Sequence, residues 1–185
     1  TIIFLWGIVI MVLVLTPLVY AQSIDNCQIL NSSNTDYTLS GNVASTVSCF
    51  NITASNVTLD CQGYTILYGS GGASGKYGVD IRNAKNITIK NCIIIKSVAA
   101  GTTGYGIYVL QTNNSLFDNN TIMTNGTSSN HGIVIDTGSR RNRINNSRIY
   151  VRGTSSTQYG IYLNSGGSNQ SQATIIENNY ISVNN

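Results

Sequence analysis

The chain of 185 residues predicts an all-β fold, a parallel β-helix of about five coils, preceded by a signal-peptide helix. Three observations carry the prediction. A motif returns about every 28 residues, apolar and polar residues alternate inside each copy, and nothing after the first 21 residues sustains a 3.6-residue apolar stripe over helical length. Composition sets the outer bounds. Only 9% of the residues are charged, and ten basic against seven acidic residues leave a net charge of +3. That is too weak a field for a broad nucleic-acid interface, while 42% hydrophobic residues argue against wholesale disorder.

At the N-terminus, residues 2–15 (IIFLWGIVIMVLVL) are all apolar or Gly, Pro17 breaks the run, and Val19-Tyr20-Ala21 fits a signal-peptidase site. Residues 1–21 are therefore expected to be a signal peptide cleaved after Ala21. The competing reading is an uncleaved anchor, since about 20 apolar residues span a bilayer, and it is the only membrane contact the sequence offers. The chain opens on Thr1 without the usual basic residues, so it reads as a fragment. Export to the outside or the cell surface puts Cys27, Cys49, Cys61 and Cys92 where an even count favours disulfides. Three pairings are possible. The expected one joins Cys27 to Cys49 and Cys61 to Cys92, worth about 3 to 4 kcal/mol each by chain entropy. Residues 22–48, with YTLSGNV, are expected to cap the N-terminal end of the sheets.

Residues 49–185 hold the repeats. GVDI, GIYV, GIVI and GIYL begin at Gly78, Gly106, Gly132 and Gly160. A second motif follows each: Ile89-Asn91-Ile94, Phe117-Asn119-Ile122, Ile144-Asn146-Ile149 and Ile176-Asn178-Ile181, with Leu59-Cys61-Tyr64 an imperfect earlier copy. Alternating pairs such as Val79 and Ile81, or Ile107 and Val109, describe strands with one buried face. Short strands joined by tight Asn or Gly turns and repeated in register build coils that stack at ~4.8 Å. Asn91, Asn119, Asn146 and Asn178 form an expected structural ladder, because Asn tolerates the left-handed turn and its amide can bond to the next coil. Cys61 lies in that column and Cys92 next to it, which brings the second bridge together. A β-sandwich also has short strands, but it does not require registered copies. The last strand, ISVNN, has no cap behind it, so further coils of the same parent chain are expected.

With CFNITASNVTLDCQGYTI at 49–66, YGVDIRNAKNITIKNCIII at 77–95 and three later copies, residues 27–185 resemble the right-handed parallel β-helix proteins of the pectin-lyase-like superfamily, particularly exported archaeal and bacterial short-repeat members. The resemblance implies the handedness and an exported solenoid. It implies no single function, because the superfamily holds lyases, glycosidases, adhesins and surface-layer components. The Asn-Thr-Asp, Asp-Asp, Gly-His-Gly and Arg-Ile-Lys motifs of its polygalacturonase-like enzymes are missing from this chain, and no carboxylate cluster of the calcium-binding lyase kind is present.

Tyr77, Tyr105, His131 and Tyr159 precede the four glycines, and Tyr108 and Tyr162 stand in the outward column Asp80, Tyr108, Val134, Tyr162. Loops at 69–76, 97–104, 125–130 and 153–158 enter the same corner. Two readings follow: the rings cover the coil edge, or they form a shallow glycan site with wet hydroxyls. Sugar chemistry would need paired carboxylates. Asp80 and Asp136, two coils or ~10 Å apart, are the weak candidates. Arg140, Arg141, Arg143, Arg148 and Arg152 place half of the ten basic residues in one coil, either as a solvated face or as a weak polyanion site. Among the Asn-x-Ser/Thr acceptors, Asn125 and Asn169 lie in loops that can carry a glycan, whereas Asn119 belongs to the ladder.

These features point to an exported cell-surface structural or adhesion module. Its partner is a polysaccharide or surface glycan met along the Tyr corner, with no cofactor, no metal, no nucleic acid and no catalysis in this stretch. The alternative is a fragment of a polysaccharide lyase or glycoside hydrolase of the same superfamily. A resemblance to periplasmic copper-site accessory proteins of similar fold is weakened by one His, two Met and paired Cys.

Overall fold

A computed structural model describes residues 19–97, 103–127, 129–154, 157–164 and 173–184. The expected signal peptide up to residue 18, parts of three expected corner loops and Asn169 lie outside the described residues. What is described contains strands and turns only.

β1 (Tyr20–Ile24) comes first, so the expected cleavage point after Ala21 falls inside a strand. The chain then winds repeatedly through three sheets. β2 (Ile29–Leu30), β3 (Thr35–Leu39) and β4 (Val43–Ala44) form one turn, β5 (Phe50–Ile52), β6 (Val57–Asp60) and β7 (Thr65–Tyr68) the next. β8 (Lys76–Arg82), β9 (Ile87–Lys90) and β10 (Ile93–Lys96) are followed by β11 (Gly104–Leu110), β12 (Leu116–Asp118) and β13 (Thr121–Gly126). β14 (Asn130–Ile135), β15 (Arg143–Asn145) and β16 (Arg148–Gly153) precede β17 (Tyr159–Leu163), β18 (Ile175–Glu177) and β19 (Tyr180–Asn184). Sheet 1 has the order β2-β5-β8-β11-β14-β17, sheet 2 β1-β3-β6-β9-β12-β15-β18, and sheet 3 β4-β7-β10-β13-β16-β19. Every strand pair is parallel. The segment expected to cap the solenoid, residues 22–48, thus supplies strands to all three sheets, with β1 covering the edge of β3.

The interior explains the repeat. Val79 and Ile81, Ile107 and Val109, and Ile133 and Ile135 stack inward on sheet 1, each 0% exposed, opposite Ile94, Ile122 and Ile149 of sheet 3, also 0%. The glycine heading each GIYV-like motif is where these two walls nearly touch. A Cβ on Gly106 would stand 2.3 Å from Ile122 Cγ2 and 2.7 Å from the Gly132 carbonyl oxygen, and Gly78, Gly132 and Gly160 face Ile94, Ile149 and Ile181 in the same way. No residue with a side chain fits there.

Turns obey the same economy. Asn91, Asn119, Asn146 and Asn178 have φ of 57°, 52°, 49° and 55°, the left-handed region Asn tolerates. Their amides do not simply run along the column. Asn119 donates to Asn91 Oδ1 (2.8 Å), but Asn91 donates to Asp60, Asn146 to Asp118 and Asn178 to Asn145, one position back on the neighbouring coil. In the imperfect copy, Gln62 and Gly63 take the left-handed turn, and Ile66, not Tyr64, is the inward residue opposite Ile94. A second Asn column, Asn34, Asn56, Asn86 and Asn114, enters sheet 2 with left-handed φ of 55° to 57°, and its side chains form a ladder in which Asn56 donates to Asn34 (3.0 Å) and Asn86 to Asn56 (2.8 Å). Buried Asn120 and Asn142 satisfy turn backbone groups from inside: Asn120 accepts from the Cys92 N–H and donates to the Ile89 carbonyl, and Asn142 does the same for Ser115 and Thr112.

Disulfides join Cys27 to Cys49 and Cys61 to Cys92, with Cα separations of 4.6 and 4.7 Å. Both are the expected pairs. Each links neighbouring turns, fastening the start of the solenoid.

Candidate functional site: a ring-bearing face on sheet 1

The register of sheet 1 lines up Tyr77, Tyr105, His131 and Tyr159 in one column and Asp80, Tyr108, Val134 and Tyr162 in the next. Because the glycine between them lets the strand turn both positions outward, rings from the two columns meet. Tyr77 stacks on Tyr108 at 4.9 Å, Tyr105 on His131 at 4.8 Å and Tyr159 on Tyr162 at 5.2 Å. Tilted contacts of 5.2 to 5.9 Å close the gaps, so six rings make one continuous strip along the solenoid axis. Offset rings at these distances attract one another beyond their area burial.

The strip is graded. His131 is only 5% exposed, sandwiched by Tyr105, Tyr159 and Tyr162. Its Nδ1 accepts the Tyr159 N–H at 3.2 Å, and burial pushes the imidazole below its ordinary range. Tyr159 and Tyr162 are 44% and 37% exposed. Burial raises the phenols of Tyr77, Tyr105 and Tyr108, helped by the Asp80 charge at Tyr77 and by the Asp136 carboxylate that accepts the Tyr108 hydroxyl. These hydroxyls stay protonated and can donate.

The two candidate carboxylates do not form a pair across an open gap. Val134 takes the place in the column of Asp80, and Asp136 lies in the next outward column, the one holding Arg82 and Leu110. The difference is one of register: Asp80 stands two residues after its glycine and Asp136 four after its own. Asp80 is bound by Arg82 at 2.9 Å, and the same guanidinium lies 5.0 Å from the centre of the Tyr108 ring. Burial raises the Asp80 carboxyl in spite of Arg82. Asp136 accepts from Tyr108 Oη (2.6 Å), the Thr137 N–H (2.6 Å) and Asn164 Nδ2 (2.7 Å), and these bonds outweigh burial and hold its carboxyl below the usual range. Both carboxylates fix the strip in place. Among the described residues, no three His, Cys, Asp or Glu side chains converge on one point.

The winding, the three sheets and the registered turns are those of a right-handed β-helix, and the family model for a right-handed beta helix region matches residues 23–185. The chain belongs to that family. A pectin-lyase-like β-helix fits the fold, while no curated protein and no solved structure matches.

Other expected positions scatter over the β-helix. The five arginines face three directions. Arg140 and Arg141 lie in the turn between sheets 1 and 2, Arg143 on sheet 2 is ion-paired to Glu177, and Arg148 and Arg152 are on sheet 3. Asn125 is exposed in β13, with its carbonyl held by Lys96 Nζ at 3.0 Å. Asn119 is tied into its ladder. Lys90 of β9 lies 3.3 Å from Asp60, its register partner on β6.

Proposed function

We propose that the protein is an exported cell-surface structural or adhesion module that contacts carbohydrate along the ring strip of sheet 1. The observation that carries this is the strip itself: six rings continuous over four adjacent strands, or ~14 Å of solenoid. Nothing in the interior requires rings at these positions, since the inward residues are already supplied by Val and Ile. Phenol faces accept the apolar face of a sugar, and protonated hydroxyls at their rims donate to its oxygens. Two disulfides suit an oxidising compartment.

The test is retention of the folded, oxidised protein on a panel of neutral and acidic polysaccharides, beside a variant with Tyr105, Tyr108, Tyr159 and Tyr162 changed to Ala, with mass spectrometry for released sugars. Retention lost in the variant without released products supports the reading. A wild type that binds no glycan refutes it. The second reading, a piece of a lyase or hydrolase, draws on one observation: Asp80 and Asp136 share a face and their carboxyls are pushed in opposite directions, the pattern of an acid and a base. Released oligosaccharides would decide for it.

A further inference from the structure

Sheet 3 carries a second surface of different chemistry, independent of the ring strip. Its register turns Ile95, Met123 and Tyr150 outward in one column. Thr121 and Arg148 flank that column on one side, Asn125 and Arg152 on the other. The surface between them is a trough of about 450 Å³, with Lys96 in its wall. Arg148 and Arg152 are exposed, four residues apart on β16, so their Cα atoms are ~13 Å apart with Tyr150 midway.

Charge on this face is one-sided. The chain has seven acidic residues, and every one lies elsewhere: Asp36, Asp60, Asp118 and Glu177 on sheet 2, Asp80 and Asp136 at sheet 1, Asp25 after β1. Arg82, Lys90 and Arg143 each have a carboxylate partner, whereas among the described residues Arg148 and Arg152 have none. Two unpaired guanidinium forks beside an apolar strip one side chain wide are a recognition pattern: the forks match a carboxylate or sulfate, and the strip matches the flat apolar face of a pyranose ring. A helix or a hydrophobic peptide would need a broader groove.

We propose that the outer face of sheet 3 binds an acidic oligosaccharide, with a sugar ring on Tyr150 and Met123 and its anionic groups on Arg148 and Arg152. The bound chain follows β16 and so crosses the solenoid axis, at right angles to the strip on sheet 1.

The experiment titrates the folded, oxidised chain with oligogalacturonate, a sulfated dextran oligomer and neutral dextran, at low and high salt. Binding of at least one acidic ligand and of no neutral one at this face is expected, and the two acidic arms tell carboxylate from sulfate. R148Q/R152Q should weaken acidic binding by about tenfold or more per arginine. R148K/R152K, which keeps the charge but removes the forks, should also weaken it, as should Y150A. The Ala variant of the ring strip should bind the acidic ligand as wild type does, so failure on one face is distinguishable from failure on the other. Unchanged unfolding midpoints would show that the variants fold. The proposal is overturned if no acidic ligand binds, if R148Q/R152Q binds as well as wild type, or if Y150A and R148K/R152K are both without effect, which would leave only diffuse charge.

Discussion

Sheets 1 and 3 share an interior and differ outside. Inside, Gly106 of sheet 1 meets Ile122 of sheet 3, and Gly132 meets Ile149, at distances that leave no choice of residue. Outside, the same strands of sheet 1 present Tyr105, Tyr108 and His131 with two carboxylates, while sheet 3 presents Met123 and Tyr150 between two arginines and no carboxylate. Repetition inside is therefore imposed by stacking, and repetition outside is not. Ring after ring on sheet 1 reflects something other than the need to close a coil.

Substitutions on the two sides should separate accordingly, beginning with the interior. Replacing Cys61 and Cys92 together by Ser removes a link across 31 residues and should cost about 3 to 4 kcal/mol in denaturant unfolding. A similar midpoint to wild type would mean that the first coils are not fastened there. G106A should cost about 1 to 3 kcal/mol or more from overpacking, whereas G41A, with nothing within 4 Å of its new Cβ, should change the midpoint hardly at all.

Turn columns come next in size. N119A puts Ala at a φ of 52° and removes the bond to Asn91, for about 2 kcal/mol, and N119G should restore roughly half by relieving the backbone. The reverse holds at Ala173, which occupies the second turn column at φ 56°: A173G should stabilise by about 1 kcal/mol. Equal effects of N119A and N119G would show that backbone geometry plays no part.

The smallest effect belongs to the outer face. His131 has its imidazole lowered by burial, so the unfolded chain takes up a proton near pH 6.5 before the folded chain does. Stability should fall as pH drops below that value and level off once the folded imidazole is also protonated, at under about 1.4 kcal/mol per pH unit crossed. H131Y, which matches its column, should flatten this part of a melting-temperature profile. A profile with the same slope in H131Y would assign the effect to other groups.

Much of this architecture is legible in the residues because stacking converts three-dimensional neighbours into a period. The spacing of Gly78, Gly106, Gly132 and Gly160, the Asn91 column and the pairing of Cys61 with Cys92 all follow from it. The second Asn column was equally available, in NTDY, NVTL, NITI and NSLF, each starting three residues before an inward side chain. It is hidden by the abundance of Asn around it. The offset between Asp80 and Asp136 could be counted from their glycines. Other features depend on packing across the coil. Lys96 sits at an inward position, 4% exposed, because Gly104 leaves room for its stem: a Cβ there would lie 2.7 Å from Lys96 Cε. The burial of His131 depends on rings from both adjacent strands. Five arginines close in sequence divide among a turn and two sheets because one coil visits every face.

The measurement that bears most directly on the separation of the two faces is a calorimetric crossover, in which one neutral and one uronate oligosaccharide are each titrated into wild type, the Tyr105, Tyr108, Tyr159 and Tyr162 to Ala variant, and R148Q/R152Q. Neutral affinity should fall only in the first variant and uronate affinity only in the second. If neither sugar binds wild type, or if both variants lose the same sugar, the two faces are not separate binding surfaces.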